Sequence, residues 1–145
     1  MKASVITICM ALVLVSCGTA KNINSNLPKD ISERPFDDES QKSDHAVLTS
    51  LRTEIETKVS KEKCTDPEEW TFSPMGSKAC GGPQFYITYP KKLEAELLPK
   101  IEEYTKKEAE YNKRYSITSD CMLVSPPEKV VCNSSGTADL VNTEK

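Results

Sequence analysis

Four cysteines, Cys64, Cys80, Cys121 and Cys132, punctuate the C-terminal part of this 145-residue chain and constrain its fold more than any other feature. An even set in a short exported chain reads as two disulfides. Four cysteines allow three connectivities. Pairing Cys64 with Cys80 and Cys121 with Cys132 closes two short local loops and is the expected arrangement. Each bridge is expected to add about 2–4 kcal/mol, a large share for a domain this small. Other cysteine chemistry fits poorly. A zinc site needs closely spaced ligands such as C-x-x-C, and a redox centre needs that same motif. Neither spacing occurs, so no metal and no cofactor is expected.

The N-terminus supplies the export signal that this reading requires. Met1-Lys2 is a short positive start, and Val5 to Val15 is an apolar run of leader length. The run is well short of the roughly 20 residues that span a bilayer. It ends in Leu14-Val15-Ser16-Cys17-Gly18. This sequence resembles the lipobox of bacterial lipoproteins. The resemblance implies a signal peptide over residues 1–16, diacylglycerol on the Cys17 thiol, cleavage before Cys17, and further acylation of the freed amine by chains such as palmitate. Two or more acyl chains anchor firmly, since each buried CH₂ contributes about 0.8 kcal/mol. The resemblance also implies a cell-envelope location. Gly18 stands where an aspartate is associated with inner-membrane retention in enteric bacteria, which favours the outer membrane in a Gram-negative host. Cys9 is discarded with the leader.

Residues 17–43 read as the lipidated cysteine and a tether. From Gly18 to Ser43 the chain is rich in Asn, Ser, Asp, Glu and Lys, and its apolar residues have no period. Such a segment buries too little to offset its ordering entropy. Some 26 residues of flexible chain would reach about 25–30 Å r.m.s.. Docking of Pro35-Phe36 on the domain is the alternative. The formal charge is −3, and loss of Lys2 makes the processed chain one unit more acidic. No basic stripe is present, so a nucleic-acid partner is not expected.

Residues 44–145 read as one disulfide-linked α+β domain. Val47, Leu48, Leu51, Ile55 and Val59 step by three and four, which predicts a helix over 44–63 with Ser43 or Asp44 as N-cap. Alternation in Ile55–Val59 keeps a strand as a rival there. Trp70 and Phe72 predict a short strand with both rings on one face, ended at Gly76. Cys80-Gly81-Gly82-Pro83 is a turn. Gln84 to Tyr89 is the strongest strand, with Phe85, Ile87 and Tyr89 inward and Tyr86 and Thr88 outward. Leu93, Leu97, Ile101, Tyr104, Tyr111 and Tyr115 form a helical stripe that Glu108 interrupts, and Pro99 should kink or split that helix. Cys121–Val124, Lys129–Cys132 and Ala138–Val141 read as short strands. The predicted architecture is a small antiparallel sheet with one long helix packed on it and a shorter N-terminal helix.

The stretch from about residue 47 to 141 is similar to a family of small exported bacterial proteins, many of them lipoproteins. The shared residues are Cys64, Trp70, Gly76-Ser77-Lys78-Ala79-Cys80-Gly81-Gly82-Pro83, Tyr86 and Tyr89, then Tyr111-Asn112-Lys113-Arg114-Tyr115 and Ser119-Asp120-Cys121. Some relatives carry a further cysteine near Thr137, which this chain lacks. The resemblance implies a compact disulfide-linked domain and no particular mechanism.

No catalytic constellation is visible. A hydrolase wants a nucleophile, a base and an orienting group. The single histidine, His45, sits at the tether boundary and reads as exposed or capping. The acids of residues 94–110 alternate with lysines as a solvated helix face. Gly81-Gly82-Pro83 lacks the Gly-Lys-Ser/Thr of a phosphate loop. Asn133-Ser134-Ser135 matches a glycosylation acceptor by chance. The expected function is therefore non-enzymatic: a membrane-anchored domain that binds an envelope or extracellular partner. Gly81, Gly82, Pro83 and Tyr86 form the candidate surface, since tyrosine is a frequent interface anchor. A narrower alternative is an inhibitor of an extracellular hydrolase such as a lysozyme or protease, acting through the Cys80 loop. A hydrolytic enzyme is the remaining alternative.

Overall fold

A computed structural model describes residues 36–142; the leader, Cys17 and the tether up to Pro35 lie outside the described residues. The architecture is α+β. Helix α1 spans Asp38–Ser60. Strands β1 (Trp70–Met75) and β2 (Phe85–Pro90) follow, then helix α2 (Glu94–Arg114) and strands β3 (Lys129–Cys132) and β4 (Ala138–Val141). Three-residue 3₁₀ turns at Pro67–Glu69 and Lys91–Leu93 lead into β1 and α2.

The helix α1 starts earlier than its apolar period suggests. Asp37 is its N-cap and accepts the Ser40 N–H at 2.8 Å. Ser43 and Asp44, expected as caps, are instead buried in the second turn, and Asp44 accepts the Tyr115 hydroxyl at 2.7 Å. The expected tether boundary at residue 43 thus falls inside the helix. With 23 residues against 21 for α2, the N-terminal helix is not the shorter one. Its first two turns carry no apolar period because their inward positions are Ser40, Ser43 and Asp44. Phe36 stacks on Tyr115 at 5.6 Å between ring centroids, although it stays 71% exposed.

The strands form two antiparallel pairs rather than one sheet, β1 with β2 and β3 with β4. In the first pair, Ser73 opposes Ile87 and Met75 opposes Phe85, while Phe72 opposes Thr88 and Pro74 opposes Tyr86. The period-2 pleat therefore sorts two faces. Met75, Phe85, Ile87 and Tyr89 face the helices and pack with Leu48, Ile55, Leu97, Ile101 and Tyr104. Trp70 and Phe72 face the other way, against Val130, Cys132, Ala138 and Leu140 of the second pair. The result is three layers: helices, β1–β2, then β3–β4. A small sheet apolar on both faces needs a cover on each. The buried Ser73 is satisfied by the Tyr89 hydroxyl at 2.7 Å.

Pro99 neither splits nor stops α2, which runs unbroken through it. It lies in the second turn on the exposed face, where only one intrahelical bond is lost. Cys121–Val124, expected as a strand, pairs with nothing and belongs to the irregular segment between α2 and β3.

The four cysteines do form two disulfides, with a different pairing: Cys64–Cys132 and Cys80–Cys121. The local pairing fails because strands separate the expected partners. Cys64 and Cys80 lie beyond opposite ends of β1, whose extended six residues span about 20 Å. Cys121 and Cys132 are likewise held apart by the linker and β3. The hairpin instead brings Cys132 back to the end of α1, where the Cys64 N–H donates to Gly136 O at 2.8 Å. The bridges close 68 and 41 residues, so on the chain-entropy account each restricts the unfolded chain by about 4 kcal/mol, against about 3 for the local loops.

Candidate interaction face

The β1–β2 loop is clamped from one side by α2. Thr105, Glu108 and Asn112 recur at steps of three and four and so share a helix face. The Gly76 N–H donates to Thr105 Oγ1 at 3.0 Å and the Ser77 N–H to Glu108 Oε2 at 2.6 Å. Asn112 Nδ2 donates to Ser77 O at 2.7 Å. Gly76 sits at φ +78°, and a Cβ there would fall 2.5 Å from Glu108 Oε2. Only glycine lets the strand end approach the carboxylate this closely. Glu108, which breaks the apolar stripe of α2, is thus the group that holds the loop.

A second set of contacts fixes the loop from the other side. Its tip is closed by Lys78 N–H to Gly82 O at 3.0 Å and Gly81 N–H to Lys78 O at 2.9 Å, with Gly81 and Gly82 both at positive φ. The segment after α2 is strapped across it. Cys80 is bridged to Cys121, and the Ala79 N–H donates to Ser119 Oγ at 3.1 Å. The Lys78 side chain is only 12% exposed, and its ammonium donates to Asp120 Oδ1 at 2.6 Å and Met122 O at 2.8 Å. The hydrogen bond from Lys78, and then its charge, hold the Asp120 carboxyl below the usual range.

Between this double loop and α1 lies an open cleft of about 720 Å³. His45, Thr49, Arg52 and Glu56 line it from α1, with Gln84, Glu108, Asn112 and Ser119 opposite. Arg52 donates to Glu56 at 2.7 Å and lies 4.6 Å above the Phe85 ring; the Glu56 hydrogen bond raises its pKa. Burial, and then the hydrogen bond to Glu108 at 2.8 Å, push the Tyr104 hydroxyl far above its ordinary value. Glu108, Arg52 and Asn112 therefore bond to the frame of the cleft itself. His45, expected at a tether boundary, projects from the second turn of α1 beside Tyr111.

Of the surface expected from sequence, Gly81 and Gly82 are exposed at the loop tip and Pro83 is half-buried. Tyr86 is half-buried on the opposite face of β2 from Phe85, with the Phe72 ring edge-on at 5.9 Å. None of the four lines the cleft. The most exposed apolar groups of the face are Met122 at 73% and Leu123 at 93%. Sequence reading missed these two because an apolar triplet beside a cysteine imitates a strand. It also gave no role to Lys78, which stands in the sequence only as part of the Gly76–Pro83 stretch.

Among the described residues no cluster of three or more metal-ligating side chains occurs, and no helix is long and apolar enough to cross a membrane. No family model, curated protein or solved structure matches the chain.

Proposed function

We propose that this protein is a bacterial lipoprotein, anchored in the cell envelope by lipid on Cys17, whose domain binds a partner and carries out no reaction of its own. The leader and the Leu14–Gly18 sequence support the anchor. The observation that carries the binding reading is the double loop. Two exposed segments far apart in sequence, Ala79–Gly82 and Asp120–Leu123, are joined by a disulfide and by Lys78, and the loop that carries the first is clamped to α2 through Ser77. A loop fixed before binding loses little entropy on docking. The two long-range cross-links, suited to an oxidising compartment, support the envelope location.

A second reading is favoured by the exposure of Leu123: the domain inhibits an extracellular hydrolase. A fixed loop that projects Leu123 at 93% exposure, beside Met122 at 73%, suits a concave pocket better than a flat partner.

The test is photo-crosslinking in the intact envelope from Gly82, from Leu123 and from Asp139 on β4 as a control. One defined partner captured from Gly82 and Leu123, and not from Asp139, is the expected result. Equal labelling from all three, or none, overturns the binding reading. For the anchor, Cys17→Ser should abolish palmitate incorporation and release from the precursor; normal membrane retention of that variant removes the anchor.

A further inference from the structure

We infer that the segment from Cys121 to Pro127 is a substrate-like loop that enters the apolar primary pocket of an extracellular serine protease, with Leu123 as the inserted side chain. The inference rests on the inhibitor reading above and names its target class.

The segment has the construction such a loop requires. Its first end is pinned by the Cys80–Cys121 disulfide and by Lys78, which donates to Met122 O at 2.8 Å. Its far end is pinned by buried Pro127 and by the Glu128 N–H, which donates to Val141 O at 2.8 Å. Between these pins Leu123 is 93% exposed. Among the described residues Leu123, Val124 and Ser125 make no main-chain hydrogen bond, so their N–H and C=O groups are open to pair with a strand of the partner. Residues 121–127 carry no charge. A protruding, uncharged aliphatic side chain fits a protease pocket with apolar walls and is poorly matched to one floored by a carboxylate. A lysozyme groove, built around two acids, finds no donor-rich group here to recognise.

The pins also separate an inhibitor from a substrate. Hydrolysis of the Leu123–Val124 bond would add one water and leave a Leu123 carboxylate and a Val124 ammonium. Both new ends would stay attached to the cross-braced frame and face each other at high effective concentration. Resynthesis then competes with release, and the protease stays occupied.

The experiment is inhibition of chymotrypsin and of trypsin by the purified, oxidised full chain. Chymotrypsin should be inhibited near equimolar ratio and trypsin should not. Leu123→Gly should weaken chymotrypsin inhibition about 100-fold. Leu123→Lys should transfer inhibition to trypsin. Both substitutions lie at an exposed position, and retention of the two disulfides together with an unchanged melting temperature verifies the fold. Three outcomes overturn the inference: no inhibition by folded protein, rapid turnover at Leu123–Val124, or inhibition that Leu123→Gly leaves unchanged. Crosslinks from Leu123 in the envelope combined with any of these remove the protease and leave the broader binding reading standing; absence of crosslinks removes that reading separately.

Discussion

Ser77 donates its main-chain N–H to Glu108 Oε2 at 2.6 Å, across 31 residues of sequence, and this bond ties the strand β1 exit to the middle of α2. The other oxygen of the same carboxylate accepts the Tyr104 hydroxyl at 2.8 Å. One side chain thus serves the loop and the core together.

Glu108→Ala should leave both donors short of a partner in a partly buried place. Each such loss costs about 1–3 kcal/mol. Urea unfolding should show a drop of that order, with increased protease nicking in the 77–83 loop. Gly76→Ala should be at least as harmful, because it forces both positive φ and a Cβ 2.5 Å from the carboxylate. A Gly76→Ala protein as stable as the parent would show that the clamp does not form.

The two disulfides differ in access. Cys80 and Cys121 are both exposed, whereas Cys64 is 3% exposed and packs with Trp70 and Val130. Thiolate exchange requires approach to sulfur, so graded reduction with alkylation should open Cys80–Cys121 first. Non-reducing peptide mapping should recover Cys64–Cys132 and Cys80–Cys121. Recovery of a Cys64–Cys80 peptide would contradict the layer order.

The parts of the fold legible in the sequence were those with a clear period. The alternation of Phe85, Ile87 and Tyr89 placed β2 and its inward face correctly, and the stripe from Leu93 to Tyr115 placed α2. What escaped depended on distant chain. The start of α1 is polar inside because Asp44 meets Tyr115, a contact spanning 71 residues. The pairing of cysteines follows from β3 folding back beside Cys64, and spacing alone favours the wrong partners. The division of four strands into two stacked pairs was equally hidden, since Trp70 and Phe72 announce a buried face without naming its cover. The candidate site was half legible. Gly81 and Gly82 were visible as a turn, but the strap from Ser119 to Leu123 carries no periodic signal.

Acid should loosen that strap. Lys78 holds the Asp120 carboxyl below its ordinary value of 3.8. A carboxyl depressed in the folded state contributes stability above its unfolded pKa and loses it as pH falls through the folded pKa. The contribution is therefore complete above about pH 4 and declines below it. Asp120 is exposed, so solvent screening keeps the effect small. Asp120→Asn should flatten this part of the acid limb of melting temperature against pH. An identical acid limb in parent and variant would mean that the Lys78 contact is not formed in solution.

Alkali should act through Tyr104, with the opposite sign. Its hydroxyl is buried and donates to Glu108, so the folded protein holds the proton well beyond the ordinary pKa of 10. The unfolded chain releases it near that value. A group whose pKa is raised on folding contributes stability that is whole below the unfolded pKa and is lost as pH rises through the folded one. Decline should therefore begin near pH 10 and continue above it. Tyr104→Phe removes the hydrogen bond and should lower stability at pH 7 by about 1 kcal/mol, because it deprives Glu108 of a donor. It also removes the proton, so the stability gap between parent and variant should shrink as pH climbs past 10. A gap that stays constant to pH 11 would place the Tyr104 hydroxyl in contact with solvent, and would separate the loop clamp of Glu108 from the core it is held to brace.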